Sequence, residues 1–218
     1  MLFVSSAPLE IRKVNVYIDS WNLYKGCLEG TPYRWIDVAE MARQHLPKHY
    51  TINRIRFFTA KVAARPHDIQ APVRQETLFR ALRTLPNLQM HFGRFLVSQT
   101  HMPLVSPPPS GPRWAHVIKT EEKGSDVNIA THLLVDVFDD EFDAAMVVSD
   151  DSDLVEPITI VRRRFGKQVR VLSPRGRGTE MKRAATRWHQ IDPAKLAASQ
   201  FAPVRTDAHG TFSRPAGW

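Results

Sequence analysis

Cysteine is almost absent from this chain: Cys27 stands alone among 218 residues. No intrachain disulfide can form, and a zinc site of several thiolates is excluded. A reducing, cytoplasmic setting is the expectation. Long hydrophobic runs are missing as well. None approaches the roughly 18 residues of a membrane span, so no membrane partner is expected. The opening residues, MLFVSSAPLEIRK, carry no basic group ahead of the apolar ones, which argues against a signal peptide. Internal repeats are not found.

What the chain does have is charge, unevenly distributed. The formal net charge is +8. Between Lys119 and Pro157, twelve Asp/Glu stand against two Lys, a local −10; between Ile160 and Arg187, ten Lys/Arg stand against Glu180, a local +9. An acidic centre beside a basic rim suits an enzyme that keeps cations on its acids and a polyanion along its bases. A solvated basic helix and loop would give the same totals.

Hydrophobic periodicity alternates between strand and helix. Strands are expected at 14–18, 52–62, 88–97, 114–119, 144–148 and 168–172, and helices at 20–26, 35–46, 72–85, 127–138, 153–165, 179–188 and 192–199. A proline-rich loop, 102–112, separates the third and fourth strands, and the two together make a hairpin that either borders a groove or merely decorates the fold. This alternation is that of an α/β protein with a mostly parallel sheet. Residues 1–12 read as a lead-in, 13–190 as one domain and 191–218 as an extension. The extension is expected to end in a largely disordered tail, because its last residues are polar and rich in Pro and Gly.

Acidic residues recur where apolar strands end. The run Ala144-Ala145-Met146-Val147-Val148 gives way to Ser149, Asp150, Asp151 and Asp153, and the strand 14–18 gives way to Asp19 with Asn22 three residues later. Asp126 falls in the first turn of the helix that follows Lys123-Gly124-Ser125. Two carboxylates about 5 Å apart repel by roughly 3 kcal/mol at an effective dielectric of about 20. A helix N-terminus returns only about 0.3–1 kcal/mol. A hard divalent cation would remove the conflict; a solvated acidic turn with one Asp as N-cap would also accommodate these residues. In open α/β sheets the carboxyl edge near the topological switch point is where ligands bind.

With Asp19-x-x-Asn22 after the first strand, Lys123-Gly124-Ser125-Asp126 opening a helix, and Ser149-x-Asp151-Ser152-Asp153 after the central strand, the chain resembles the NYN domain family. These are PIN-like nuclease domains, and bacterial members are often called LabA-like. The resemblance implies a Rossmann-like three-layer α/β/α sandwich and a metal-dependent ribonuclease. It implies that Asp19, Asp126, Asp151 and Asp153 would hold one or two Mg²⁺ or Mn²⁺ ions, with Asn22 supporting Asp19. The chain departs from the family pattern at Asp150, where Gly is usual, and at His132, where Asp is frequent. Single-stranded or structured RNA is the implied partner, with a homodimer left open. Candidate phosphate contacts are Lys123, Arg162, Arg163, Arg164, Lys167, Arg175, Arg177, Lys182 and Arg183. Trp21, Tyr24 and Trp114 are candidates for stacking unpaired bases or for core packing.

Two other readings fit some of the same residues. Asp151-Ser152-Asp153-Leu154-Val155 matches the D-x-D-x-[TV] motif of haloacid-dehalogenase-type phosphatases, although that motif normally sits on the first strand. A non-catalytic RNA-binding or regulatory module could keep the acids for structure. An EF-hand fits poorly, because the turn glycine and the twelfth-position Glu are missing.

Overall fold

The computed structural model describes residues 11–66 and 68–218. Most of the lead-in expected at 1–12 therefore lies outside the described residues. Six strands form one parallel sheet: β1 (Arg12–Asp19), β2 (Tyr50–Thr59), β3 (Leu88–Phe92), β6 (Ala144–Val148), β7 (Gln168–Ser173) and β8 (Arg187–Gln190), in the order β3-β2-β1-β6-β7-β8. The order of winding reverses between the parallel strands β1 and β6, so the carboxyl ends of these two neighbours frame the switch point.

Helices cover both faces. On one face α2 (Val38–His45), α3 (Ala71–Leu82) and α7 (Pro193–Ala198) pack on Val14, Val16, Ile18, Ile55 and Met146. On the other, α4 (Ser125–Phe138), α5 (Val155–Phe165) and α6 (Thr179–Ala184) pack on Tyr17, Phe58, Val147, Val169 and Val171. Every side chain of β6 is buried, as its unbroken apolar run requires of a strand covered on both faces. The expected three-layer α/β/α architecture is the one observed.

A buried polar knot fixes α4 across the sheet. Asp136, 2% exposed, accepts from Tyr17 Oη at 2.7 Å, Asn15 Nδ2 at 3.2 Å and both arms of Arg56, Nε at 2.8 Å and Nη2 at 2.5 Å. Burial works against the Asp136 charge, but hydrogen bonds from Arg56 and Tyr17 and the charges of Arg56 and Arg54 outweigh it, holding the carboxyl below its usual range. His132, in the same helix, packs with tilted rings against His91 at a centroid distance of 4.1 Å and against Phe58 at 5.8 Å.

The structure corrects several expected boundaries. The strand expected at 88–97 breaks at Gly93, and β4 (Arg94–Pro103) leaves the sheet to pair with β5 (Trp114–Lys123) as an antiparallel ribbon. A side chain at Gly93 would sit 2.7 Å from both Glu122 Oε1 and the Lys123 carbonyl, so only glycine lets the ribbon close at its foot. The helix expected at 179–188 stops at Ala184, because Arg187–Gln190 pairs with β7 instead.

The tail expected to be disordered is folded. Its hairpin, β9 (Val204–Asp207) with β10 (Gly210–Ser213), brings Phe212 to the Trp35 ring at 6.4 Å, while Phe201 packs there at 5.8 Å. Arg80 clamps Asp207 through two bonds of 2.7 Å and lies over the Phe212 ring. Two buried phenylalanines outweigh the polar composition of this segment.

Removing one member of a buried ion pair typically costs about 3–5 kcal/mol. Asp136→Ala should therefore lower unfolding stability in urea by about that amount, whereas Asp136→Leu combined with Arg56→Met should cost far less. A loss below about 1 kcal/mol for Asp136→Ala would mean the knot is not what anchors α4. Deleting residues 200–218 should cost about 3 kcal/mol or more, from two phenylalanines returned to water. An unchanged melting temperature would show the hairpin to be dispensable.

Candidate metal centre

The acids gather at the switch point. Asp19 ends β1 and caps the short helix α1 (Ser20–Leu23), accepting from the Asn22 amide at 2.9 Å. Ser149, the first residue after β6, donates to the other Asp19 oxygen at 3.1 Å and accepts from the Asp151 amide at 3.1 Å. Asp151 caps the 3₁₀ turn at Ser152–Leu154 through the Asp153 amide at 3.0 Å. Asn22 Oδ1 accepts from the Asp150 amide at 3.2 Å, tying the two turns together. Asp19 is thus an N-cap.

Asp126 sits in the first turn of α4 after Gly124, whose φ of 102° is left-handed and favours glycine. Its carboxyl is pushed up to about 7, first by burial and then by the charges of Asp151, Asp19, Glu122 and Asp153. Asp19 is pushed up to about 6: burial is the main cause, hydrogen bonds from Asn22 and Ser149 pull it down, and Glu122 and Asp151 push it up. Carboxylates perturbed this way by burial and by one another mark functional-site candidates. Among the described residues, no Lys or Arg forms an ion pair with Asp19, Glu122, Asp126, Asp151 or Asp153.

All-oxygen donors with excess negative charge suit a hard divalent cation in kind. Among the described residues no three acids stand close enough to ligate one ion together, so the donors fit a cation in kind and not in placement. Glu122 was not singled out from the sequence. Its signal is slight: it lies in a Glu-Glu pair four residues before Asp126, and only the ribbon turns it toward the cluster. There it accepts from Ser125 Oγ at 2.6 Å.

Asp150, the departure from the family's glycine, is structural. Its carboxylate accepts from Ser173 Oγ and, at 2.7 Å, from the Arg175 amide, pinning the loop that carries Arg175 and Arg177 beside the acids. Lys182 and Arg183 are exposed on α6, which follows that loop. Lys123 lies at the ribbon foot, 3.4 Å from Glu121. Arg162, Arg163, Arg164 and Lys167 are elsewhere. α5 leaves the acid edge at its first turn and carries the three arginines about 10–14 Å toward the opposite edge. There Lys167 pairs with Asp140 at 2.6 Å, and Arg162 donates to the Ala184 carbonyl. Another basic strip was not singled out: Arg170 on β7 neighbours Arg187 on β8, with His189 and Lys195 near enough to disfavour one another's charge. Trp21 and Tyr24 are at the site, and Trp114 is at the far end of the ribbon.

A model of the NYN domain matches residues 13–192. The chain belongs to the NYN domain family. A solved structure of a Vibrio parahaemolyticus protein of unknown function shares the fold, with a TM-score of 0.56 at 16% identity, covering 86% of this chain and 96% of that one. A relative from Pseudomonas putida, 6-hydroxy-3-succinoylpyridine 3-monooxygenase HspA, is 29% identical over 99% of this chain and 77% of its own length. No helix among the described residues of this NYN protein is long and apolar enough to cross a membrane.

With its pKa near 7 against an ordinary 3.8, the Asp126 carboxylate destabilises the metal-free fold progressively above pH 4 and fully above pH 7. Asp126→Asn should therefore raise metal-free stability at pH 8 by about 1 kcal/mol, after allowance for solvent screening at this half-exposed group, and by nothing at pH 4. Equal stability of the two proteins at pH 8 would show that Asp126 is not in electrostatic conflict.

Proposed function

We propose that this NYN protein hydrolyses RNA phosphodiester bonds with the help of Mg²⁺ or Mn²⁺ at the acid cluster. The observation that carries the reading is the set of five carboxylates from separate segments, unpaired with any Lys or Arg among the described residues, at the sheet's switch point. Asp19, Asp126, Asp151 and Asp153, joined by Glu122, would draw the cation, and side chains would have to close in to share it, since among the described residues no three acids are placed to do so. When bound, such a cation acidifies water and stabilises developing charge at phosphorus.

The chain's own groups orient and bind. Asn22 and Ser149 fix both oxygens of Asp19. The Ser149 hydroxyl also receives the Asp151 amide, so the carboxyl ends of β1 and β6 hold one geometry. Asp126, its carboxyl pushed up to about 7 chiefly by burial, would be held as a carboxylate by a bound cation's charge. Arg175 and Arg177, beside the acids, offer a path for the RNA backbone, which the strip of Arg170, Arg187 and His189 on β7 and β8 would extend. Such contacts position the strand without reading its sequence. Arg162–Arg164 instead complement the α5 C-terminus, where cations are favoured.

The relative's name suggests a second reading, oxidation of a small pyridine acid; the aromatic-walled pocket described below favours it. The phosphatase reading is weaker, because Asp151 follows β6, not the first strand, and spends one oxygen capping the turn.

Labelled single-stranded RNA incubated with Mn²⁺ should be cut by the wild type and at least about a hundredfold more slowly by Asp151→Asn. Arg187→Glu should weaken RNA binding more than Arg163→Glu does. RNA bound but uncut by the wild type would leave the non-catalytic module. Equal cutting by wild type and Asp151→Asn would place the activity elsewhere.

A further inference from the structure

A pocket of about 210 Å³ opens beside the acid cluster, between the sheet end, α1 and α3. Its rim belongs to both sites: Ser20 follows Asp19, and Glu122 faces Asp126 from the ribbon foot. The walls are aromatic, with Phe57 and Phe79 at the floor and Trp21, Tyr24 and Phe95 at the mouth. Trp21 is 40% exposed yet held from two sides, by Tyr24 at 6.3 Å and edge-on by Phe95 at 5.4 Å. The pocket falls below the roughly 300–1,000 Å³ of sites that enclose drug-sized ligands. Its capacity is that of a single flat ring system.

Polar groups mark the side away from the acids. Arg34 lines the pocket, and its guanidinium bonds the backbone carbonyls of Thr31 and Gly217; among the described residues it forms no ion pair with a carboxylate. Arg74, paired with Asp68, adds a second donor. A flat ring bearing carbonyl or ring-nitrogen acceptors would find stacking partners at the mouth and donors within. Bases splayed out of single-stranded RNA present that chemistry, and stacking on aromatic side chains is how they are commonly held.

We propose that this pocket receives one nucleobase of the RNA strand whose phosphodiester lies at the acids. This rests on the nuclease reading, and it adds what acid clusters and backbone contacts lack, a place where base identity is sensed. The relevant base is the one adjoining the scissile linkage, since the pocket begins one residue beyond Asp19.

The test uses Asp151→Asn protein with Mn²⁺, so that RNA is not consumed, and two further changes. Ala71→Phe would fill the pocket from α3, and Phe95→Ala would open its mouth from the ribbon, where no core packing is disturbed. Tryptophan fluorescence should be quenched by nucleoside 5′-monophosphates, and either change should weaken both this response and binding of a short single-stranded RNA by roughly tenfold or more. RNA lacking one base beside the scissile position should lose a similar factor against the unfilled pocket and nothing against Ala71→Phe. Unchanged nucleotide and RNA affinity in both variants would overturn the pocket while leaving cleavage by the wild type intact. Nucleotide quenching lost in Ala71→Phe, in a protein that never cuts RNA, would support the pocket and overturn the nuclease reading. Quenching by a hydroxypyridine carboxylic acid but by no nucleotide would overturn the base assignment in favour of a small aromatic acid.

Discussion

Carboxylates buried beside one another, with no basic side chain among the described residues to neutralise them, are the constraint on which this structure turns. Asp19, Glu122, Asp126, Asp151 and Asp153 come from four places in the chain and crowd one edge of the sheet, and burial lifts two of them toward neutrality. A fold tolerates such an arrangement only if stability is supplied elsewhere. The Asp136 knot does so at depth, locking α4 to β1 and β2 and with it the turn that carries Asp126. Nearer the edge, Ser149 and Asn22 share their hydrogen bonds between two turns, so neither Asp19 nor Asp151 swings freely. Conflict at the surface is thus set on satisfaction beneath it.

Elements whose determinants are local could be read from the residues directly. The apolar run at 144–148 followed by Ser149-x-Asp151 had one sensible reading, and so did Asp19 after its strand. Whatever depends on tertiary geometry was hidden. Glu122 looked like one charge in an acidic stretch until the ribbon turned it inward. Arg162–Arg164 looked close to the acids because they follow them in sequence, yet an eleven-residue helix carries them to the other edge. The segment 187–190 followed a helical stretch with no glycine between, and only the free edge of β7 made it a strand. The tail looked disordered because its average polarity concealed Phe201 and Phe212, spaced to meet Trp35.

The chain has the family's fold, and its relative at 29% identity carries the name of a monooxygenase. Fold alone does not decide between them. The acid cluster favours a polyanion drawn through a cation, and the adjoining pocket favours a flat ring. On the proposed reading a strand of RNA would satisfy both at once, with phosphates along Arg175 and Arg177, a scissile linkage at the acids and a base in the pocket behind Trp21 and Phe95. A free aromatic acid would engage the pocket and leave the basic strip unused.

The most direct measurement is anomalous scattering from crystals soaked in Mn²⁺. A peak bounded by Asp19, Asp126 and Asp151, lost in Asp126→Asn, is the result this account predicts. Soaked crystals with no manganese within reach of Asp19 and Asp126 would contradict it.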